Sequence, residues 1–200
     1  MQKSIQNLLF ALLRAEMWGE EFNTSDFSAD EYLEVFAEAQ RQAVAGLVAQ
    51  LLVDKNVPLG IQGATKIFGI LKQIRSRNEY VNGEMSKFCQ FLSRHGIKYV
   101  VVKGQTVAQC YRHPLVRQSG DVDFYCDAEN YAKAKALIEK QLGISLENFF
   151  AEKHVEFDAG NIAYEMHSKL CDFASKRHQS RWEEFLAEEM QGETASVDIG

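Results

Sequence analysis

A chain of 200 residues, 46 % hydrophobic and 25 % charged, has the balance of an ordinary globular protein, which excludes disorder and coiled coil. Two prolines leave no room for a collagenous or Pro-rich linker class. The net charge of −6, from 22 Lys+Arg against 28 Asp+Glu, lacks the basic surplus used to grip phosphate backbones. It argues against a nucleic-acid partner while leaving a local basic groove open.

Residues 4–17 read as the first helix, with Ile5, Leu8, Leu9, Leu12 and Met17 at helical spacing. Arg14 and Glu16 interrupt any signal-peptide core, and no small-residue cleavage site follows. Ser28 and Glu31 form a capping-box pattern. From there a second helix is expected to run to about Asp54, ahead of Pro58, carrying Leu33, Phe36, Ala43 and Leu47 inward. Trp18, Tyr32 and Phe36 read as core residues. A long third helix over 62–95 lines up Ile67, Ile70, Leu71, Ile74, Val81, Met85, Phe88 and Leu92 on one face, and Gly96 reads as its stop. The apolar stretches 8–13 and 47–53 are too short and too interrupted to cross a bilayer, so no membrane segment is expected.

Beyond Gly96 the periodicity changes. Residues 97–102, IKYVVV, read as a buried strand, and 106–112 as a short helix. A second strand is expected at 121–126, then a helix over 128–142 capped by Asp127 and ended by Gly143. A hairpin follows, with strands 154–157 and 162–167 about a turn through Asp158, Ala159, Gly160 and Asn161. A helix at about 181–190 and a strand at 195–200 complete the reading. The expected class is therefore α+β, with a helical N-terminal region over 1–95 and a mixed α/β domain over 96–200. A last strand with nothing after it suggests a domain truncated at its C-terminus. Cys89, Cys110, Cys126 and Cys171 make no CxxC or zinc spacing and read as reduced thiols of a cytoplasmic protein.

The sharpest local feature is Arg117-Gln-Ser-Gly120-Asp121-Val122-Asp123-Phe124. Two positions apart on a strand, Asp121 and Asp123 leave one face with α-carbons roughly 6.5–7 Å apart, while Val122 and Phe124 point the other way. Carboxylates held so close repel unless a cation lies between them, and hard divalent ions take oxygen ligands together with substrate phosphates. A solvated strand edge explains the same pattern without a ligand. Upstream, Val102-Lys103-Gly104-Gln105-Thr106 runs from strand through glycine into a helix start, a place where backbone amides meet phosphate. Lys103 offers a point charge and Arg117 a planar fork; a plain left-handed turn and surface charges are the bland equivalents. Downstream, Glu165 and His167 alternate with Tyr164 and Met166. With Phe157 opposite Ile162, His154 falls opposite Glu165 and Glu156 opposite Ala163, giving either an active-site wall or a solvent-facing sheet side. Glu165 is the candidate third carboxylate, completing a metal site or taking a proton, with His154 and His167 orienting it.

Taken together, Lys103-Gly104, Arg117-x-x-Gly120-Asp121-x-Asp123 and Glu165-x-His167 resemble the nucleotidyltransferases of the DNA polymerase beta-like superfamily, in the bacterial branch with a KG…RxxGDxD…ExH pattern. The resemblance covers about residues 88–170 and implies a mixed sheet with flanking helices. It makes Gly104 the phosphate-binding glycine, Asp121 and Asp123 the paired metal ligands and Glu165 the third acid. Lys103, Gln105, Thr106, Arg117 and Gly120 surround the nucleotide. It implies Mg²⁺ or Mn²⁺ as cofactor and a nucleoside triphosphate as donor. An acceptor hydroxyl, on a small molecule or a protein, attacks the α-phosphorus as pyrophosphate leaves. One departure stands out: the family's glycine-serine pair is Gly104-Gln105 here, so the hydroxyl contact to phosphate is missing or comes from Thr106. Two other readings remain at this point. One is a non-catalytic nucleotide- or partner-binding module on the same fold. The other is a metal-dependent phosphohydrolase built on Asp121, Asp123, His154 and His167.

Overall fold

The computed structural model describes residues 2–146 and 154–192. Among them are seven α-helices and one four-stranded mixed sheet, an α+β architecture with a helical N-terminal region. The expected strand at 195–200 lies outside the described residues. By its contacts the chain divides into two compact units, Met1–Tyr80 with Ala108–Ser119, and Val81–Val107 with Gly120–Gly200. No helix among the described residues is long and apolar enough to cross a membrane.

The first unit is built from α1 (Gln2–Trp18), α2 (Ala29–Arg41), α3 (Ala45–Asp54) and the first part of α4 (Gly60–Arg94). Leu8, Leu9, Leu12 and Ala15 of α1 meet Tyr32, Val35, Phe36 and Ala39 of α2 in one core, joined by Val48, Leu51 and Leu52 of α3 and by Ile67 and Leu71 of α4. The capping box forms as expected, with Ser28 N–H donating to Glu31 Oε2 and Glu31 N–H to Ser28 Oγ. Trp18 is a correction: it is 68 % exposed, because it lies about 200° round the helix from buried Glu16.

The expected single helix over 28–54 is two helices. Ala43 adopts φ +54°, and Val44 N–H closes back on Ala39 O at 2.9 Å, the hydrogen-bond pattern of a left-handed helix stop. Alanine occupies the position where glycine ordinarily announces such a stop, and it is exposed rather than directed inward. Leu33 is half-buried. Across the turn, α3 lies against the segment Ala108–Ser119. A Cβ on Gly46 would stand 2.0 Å from Val116 O, and Gly46 N–H donates to Gln118 Oε1 at 3.3 Å. Buried Asn78 secures the same segment, donating to Leu115 O and Arg117 O at 2.6 and 2.8 Å.

In the second unit the sheet order is β1-β2-β4-β3, with β1 (Val100–Val102), β2 (Val122–Tyr125), β3 (His154–Ala159) and β4 (Ile162–His167). The pair β2–β4 is parallel and the other two are antiparallel. Val122, Phe124, Val155, Phe157, Ile162, Tyr164 and Met166 form one apolar face, which packs with Val81, Met85 and Leu92 of α4 and with Ala134 and Ile138 of α6 (Ala128–Leu142). Phe88 anchors this core, its ring centroid 4.7 Å from Tyr164, 5.3 Å from Phe124 and 5.8 Å from Phe157. Asp127 caps α6 through Asn130 N–H, and Gly143 ends it at φ +67°, both as expected.

The strand read at 97–102 is shorter and less buried than expected. Among the described residues β1 is an edge strand with one neighbour; Val100 is exposed, and Val101 and Val102 are half-buried. The helix read at 106–112 is α5 (Gly104–Ala108), and Pro114–Val116 forms a separate 3₁₀ turn. The last helix, α7 (Lys176–Glu189), starts earlier than its apolar pattern suggests. The hairpin turns tightly through Gly160 and Asn161, at φ +59° and +60°, a two-residue connection of the twisted type favoured in hairpins. Phe157 therefore pairs with Tyr164, not Ile162, which puts His154 opposite His167 and Glu156 opposite Glu165. The shift is two residues, so no side chain changes face.

Candidate active site

With one face of the sheet entirely apolar, alternation sends the polar residues to the other. The register sets Asp123 beside Glu165 and Glu165 beside Glu156; in the next row Tyr125, His167 and His154 stand side by side. Opposite Asp123 on its free flank is Val102, the last residue of β1. Asp121 lies just ahead of β2, half-buried.

Asp123 is the centre of this arrangement, 3 % exposed. Its Oδ1 accepts from Lys103 Nζ at 2.7 Å and from His167 Nε2 at 2.9 Å. Burial raises the Asp123 carboxyl, but the hydrogen bonds and charges of Lys103 and His167 outweigh it and hold the group below the usual carboxylate range. The bond to Asp123 in turn raises the Lys103 ammonium. Glu165 behaves oppositely. Burial, a hydrogen bond with Asp121 and the charges of Asp121 and Asp123 push it up to about 7, against an opposing charge on His154. Its Oε2 lies 3.4 Å from His167 Nε2. His154 sits 3.3 Å from Glu156 Oε1, with its ring 5.4 Å from that of His167.

Lys103 and Gly104 are consecutive left-handed residues, at φ +58° and +38°. They swing the chain from β1 into α5, and only the second avoids the Cβ penalty. A Cβ on Gly104 would meet Asp121 O at 3.5 Å. Gln105 is turned away: its side chain is buried and donates to Asn82 Oδ1 at 2.7 Å. The Thr106 hydroxyl donates to Lys103 O at 2.6 Å, closing the first turn of α5. Gly120 stands in open space. Arg117 belongs to the first unit, where its carbonyl accepts from Asn78.

The structure thus brings Lys103, Asp121, Asp123, Glu165 and His167 together, with His154 and Glu156 alongside. What the sequence reading missed is that Lys103 pairs directly with Asp123. Only the strand register carries that signal, since Lys103 follows the residue paired with Asp123. Oxygens of Asp123 and Glu165 and a nitrogen of His167 lie within 4.8 Å of one another. These two carboxylates, with that of Asp121 hydrogen-bonded to Glu165, are donors of the kind that hard divalent cations take, leaving room for phosphate oxygens. An imidazole at the rim widens the choice toward Mn²⁺. The residues present fit a divalent ion.

No curated protein and no solved structure matches the chain. A family model described as an uncharacterised nucleotidyltransferase matches residues 28–199, which covers the whole polar sheet face and most of the helical region. The chain belongs to this nucleotidyltransferase family.

Proposed function

We propose that the second unit is a divalent-metal-dependent nucleotidyltransferase of the DNA polymerase beta-like type. It moves a nucleoside monophosphate from a nucleoside triphosphate to a hydroxyl of a small molecule or a protein. The observation that carries this reading is the convergence of Asp121, Asp123 and Glu165 on the one polar face of the sheet, with Glu165 raised to about 7 by burial and by the other two. Asp121, Asp123 and Glu165 hold Mg²⁺ or Mn²⁺, which when bound neutralises the triphosphate and makes the attacking hydroxyl more acidic.

The protein's own groups do the rest. His167 donates from Nε2 to Asp123 Oδ1 and fixes the direction of that carboxylate. Lys103, the cation nearest Asp123, offsets the negative charge gathered on this face. The left-handed turn at Lys103-Gly104 brings bare backbone to the edge of the site, where a phosphate oxygen approaches an amide closely. Burial and the nearby Asp121 and Asp123 raise Glu165 to about 7, and a divalent ion among the three carboxylates would relieve that repulsion. The proposed site is confined to the second unit.

Labelled nucleoside triphosphates with Mn²⁺ and a panel of hydroxyl acceptors test the proposal. Asp123→Asn, which keeps the side-chain shape, is expected to bring label transfer to background with an unchanged circular dichroism spectrum. Full transfer by that variant would refute the assignment. A second reading, nucleotide binding without turnover, is favoured by one observation: the Gln105 amide is engaged by Asn82 and the Thr106 hydroxyl by Lys103 O. Metal-dependent triphosphate binding with no label transfer to any acceptor is its signature.

A further inference from the structure

The first unit contains a separate set of metal-ligating groups. Glu16 of α1, Asp54 at the end of α3 and His113, just before the Pro114–Val116 turn, place two carboxylate oxygens and an imidazole nitrogen within 4.8 Å of one another. Glu16 is 2 % exposed, and its Oε1 has no hydrogen-bond partner. A carboxylate oxygen buried without a partner is costly and calls for an explanation. It faces His113 Nε2 at 3.8 Å, while the same nitrogen faces Asp54 Oδ2 at 3.3 Å. One nitrogen carries at most one proton, so it cannot serve both carboxylates at once; a cation among the three satisfies all of them.

The spacing suits such an ion. Ligand atoms arranged tetrahedrally about zinc at about 2.0–2.1 Å stand about 3.3 Å apart, close to the 3.3 and 3.8 Å found here. Asp54 is already oriented: its Oδ1 accepts from Gln50 Nε2 at 2.8 Å, and Arg75 holds the Gln50 carbonyl. That leaves Oδ2 toward His113, the way outer hydrogen bonds aim metal ligands. Glu16 is shielded from water, whereas Asp54 and His113 are partly exposed, so an ion and a completing water have a route in. Burial and the charge of Asp54 raise Glu16 to about 7, with Arg112 opposing.

We propose that Glu16, Asp54 and His113 form a binding site for a borderline divalent metal ion of the zinc type. The ion ties α1, α3 and the His113 segment together. One imidazole with two carboxylates favours Zn²⁺ or Co²⁺ over Mg²⁺, which prefers an all-oxygen shell and keeps its waters.

The test uses the full chain, stripped with a chelator, on an Asp123→Asn/Glu165→Gln background that disables the sheet site. Titration calorimetry with Zn²⁺ is expected to show one bound equivalent, undisturbed by millimolar Mg²⁺. The thermal midpoint should rise with the metal, and Co²⁺ should give a visible absorption band from its nitrogen and oxygen ligands. Adding His113→Gln, a change at a partly exposed position, should weaken Zn²⁺ binding by at least about tenfold and remove the thermal gain, a loss of about 1.4 kcal/mol or more in binding free energy. Glu16→Gln, nearly isosteric, should do the same. Absence of a bound equivalent, or affinity unchanged by His113→Gln, would overturn the proposal. Neither result depends on whether the second unit transfers nucleotides.

Discussion

Gly104→Ala separates a role in phosphate binding from a role in folding. At φ +38° a Cβ is unfavourable, by about 1–2 kcal/mol for a left-handed residue. Reduced freedom of the unfolded chain returns about 0.4–1 kcal/mol. The new methyl meets nothing closer than Asp121 O at 3.5 Å, an ordinary contact. The net cost is about 1 kcal/mol, or about 2–4 °C in melting midpoint for a chain of this size. The effect on a bound triphosphate is larger, because the methyl stands where phosphate would approach the backbone. Losing one hydrogen bond to a charged group costs about 1.5–3 kcal/mol, equivalent to roughly 10- to 150-fold in Kd. Gly96→Ala is the matched control, with φ +68° and open space around its Cβ. Fluorescence anisotropy with a labelled nucleoside triphosphate and Mn²⁺, run beside thermal melts, reads both effects. Similar midpoint losses are expected for the two variants, with weaker nucleotide binding only for Gly104→Ala. Equal affinities for both would refute the placement of phosphate at this turn.

Two further outcomes follow from the buried groups and the close contacts. Glu16 and Glu165 are both raised from 4.5 to about 7, so between those values the folded chain binds more protons than the unfolded one. Their contribution to stability is present below pH 4.5 and is lost as pH rises through 7. Chelator-treated protein should therefore show a melting midpoint that falls between pH 5 and 7.5, and Glu16→Gln/Glu165→Gln should flatten the profile; a flat wild-type profile would contradict the burial of these carboxyls. Separately, Gly46→Ala puts a methyl 2.0 Å from Val116 O, an overpacking expected to cost about 1–3 kcal/mol in urea denaturation. A loss below about 0.5 kcal/mol would mean that α3 does not lie tightly on that segment.

The elements most legible in the sequence were those whose ends are marked by side-chain chemistry. Ser28 with Glu31 and Asp127 with Gly143 set helix boundaries that the structure reproduces. Where the backbone itself ends a helix, no residue type betrays it: Ala43 takes the left-handed position because α3 must turn onto Val116, a tertiary demand. The same limit explains β1. Its β-branched run predicts a strand, but whether that strand is central or at an edge depends on the sheet order, which among the described residues places nothing on its far side.

The chemistry divides along the same line. Period-two alternation is local, so it was enough to put Asp121 and Asp123 on one side and Glu165 with His167 on one side. It survived even a two-residue error in hairpin register, because such a shift preserves the faces. Which carboxylate is held low and which is raised is not local. Asp123 is kept charged by Lys103, just past the end of β1, and by His167 from β4, while Glu165 is raised mainly by burial and by Asp121. That asymmetry comes from the strand register, and it gives two chemically similar acids opposite surroundings: one is held below its ordinary value, the other is raised above it. In the first unit the logic is carried further. Glu16 reads in the sequence only as a polar interruption of an apolar helix, and its partners come from a different helix and a distant segment. A buried acid on an apolar stripe is therefore the one pattern here whose meaning depends wholly on what the fold brings to it.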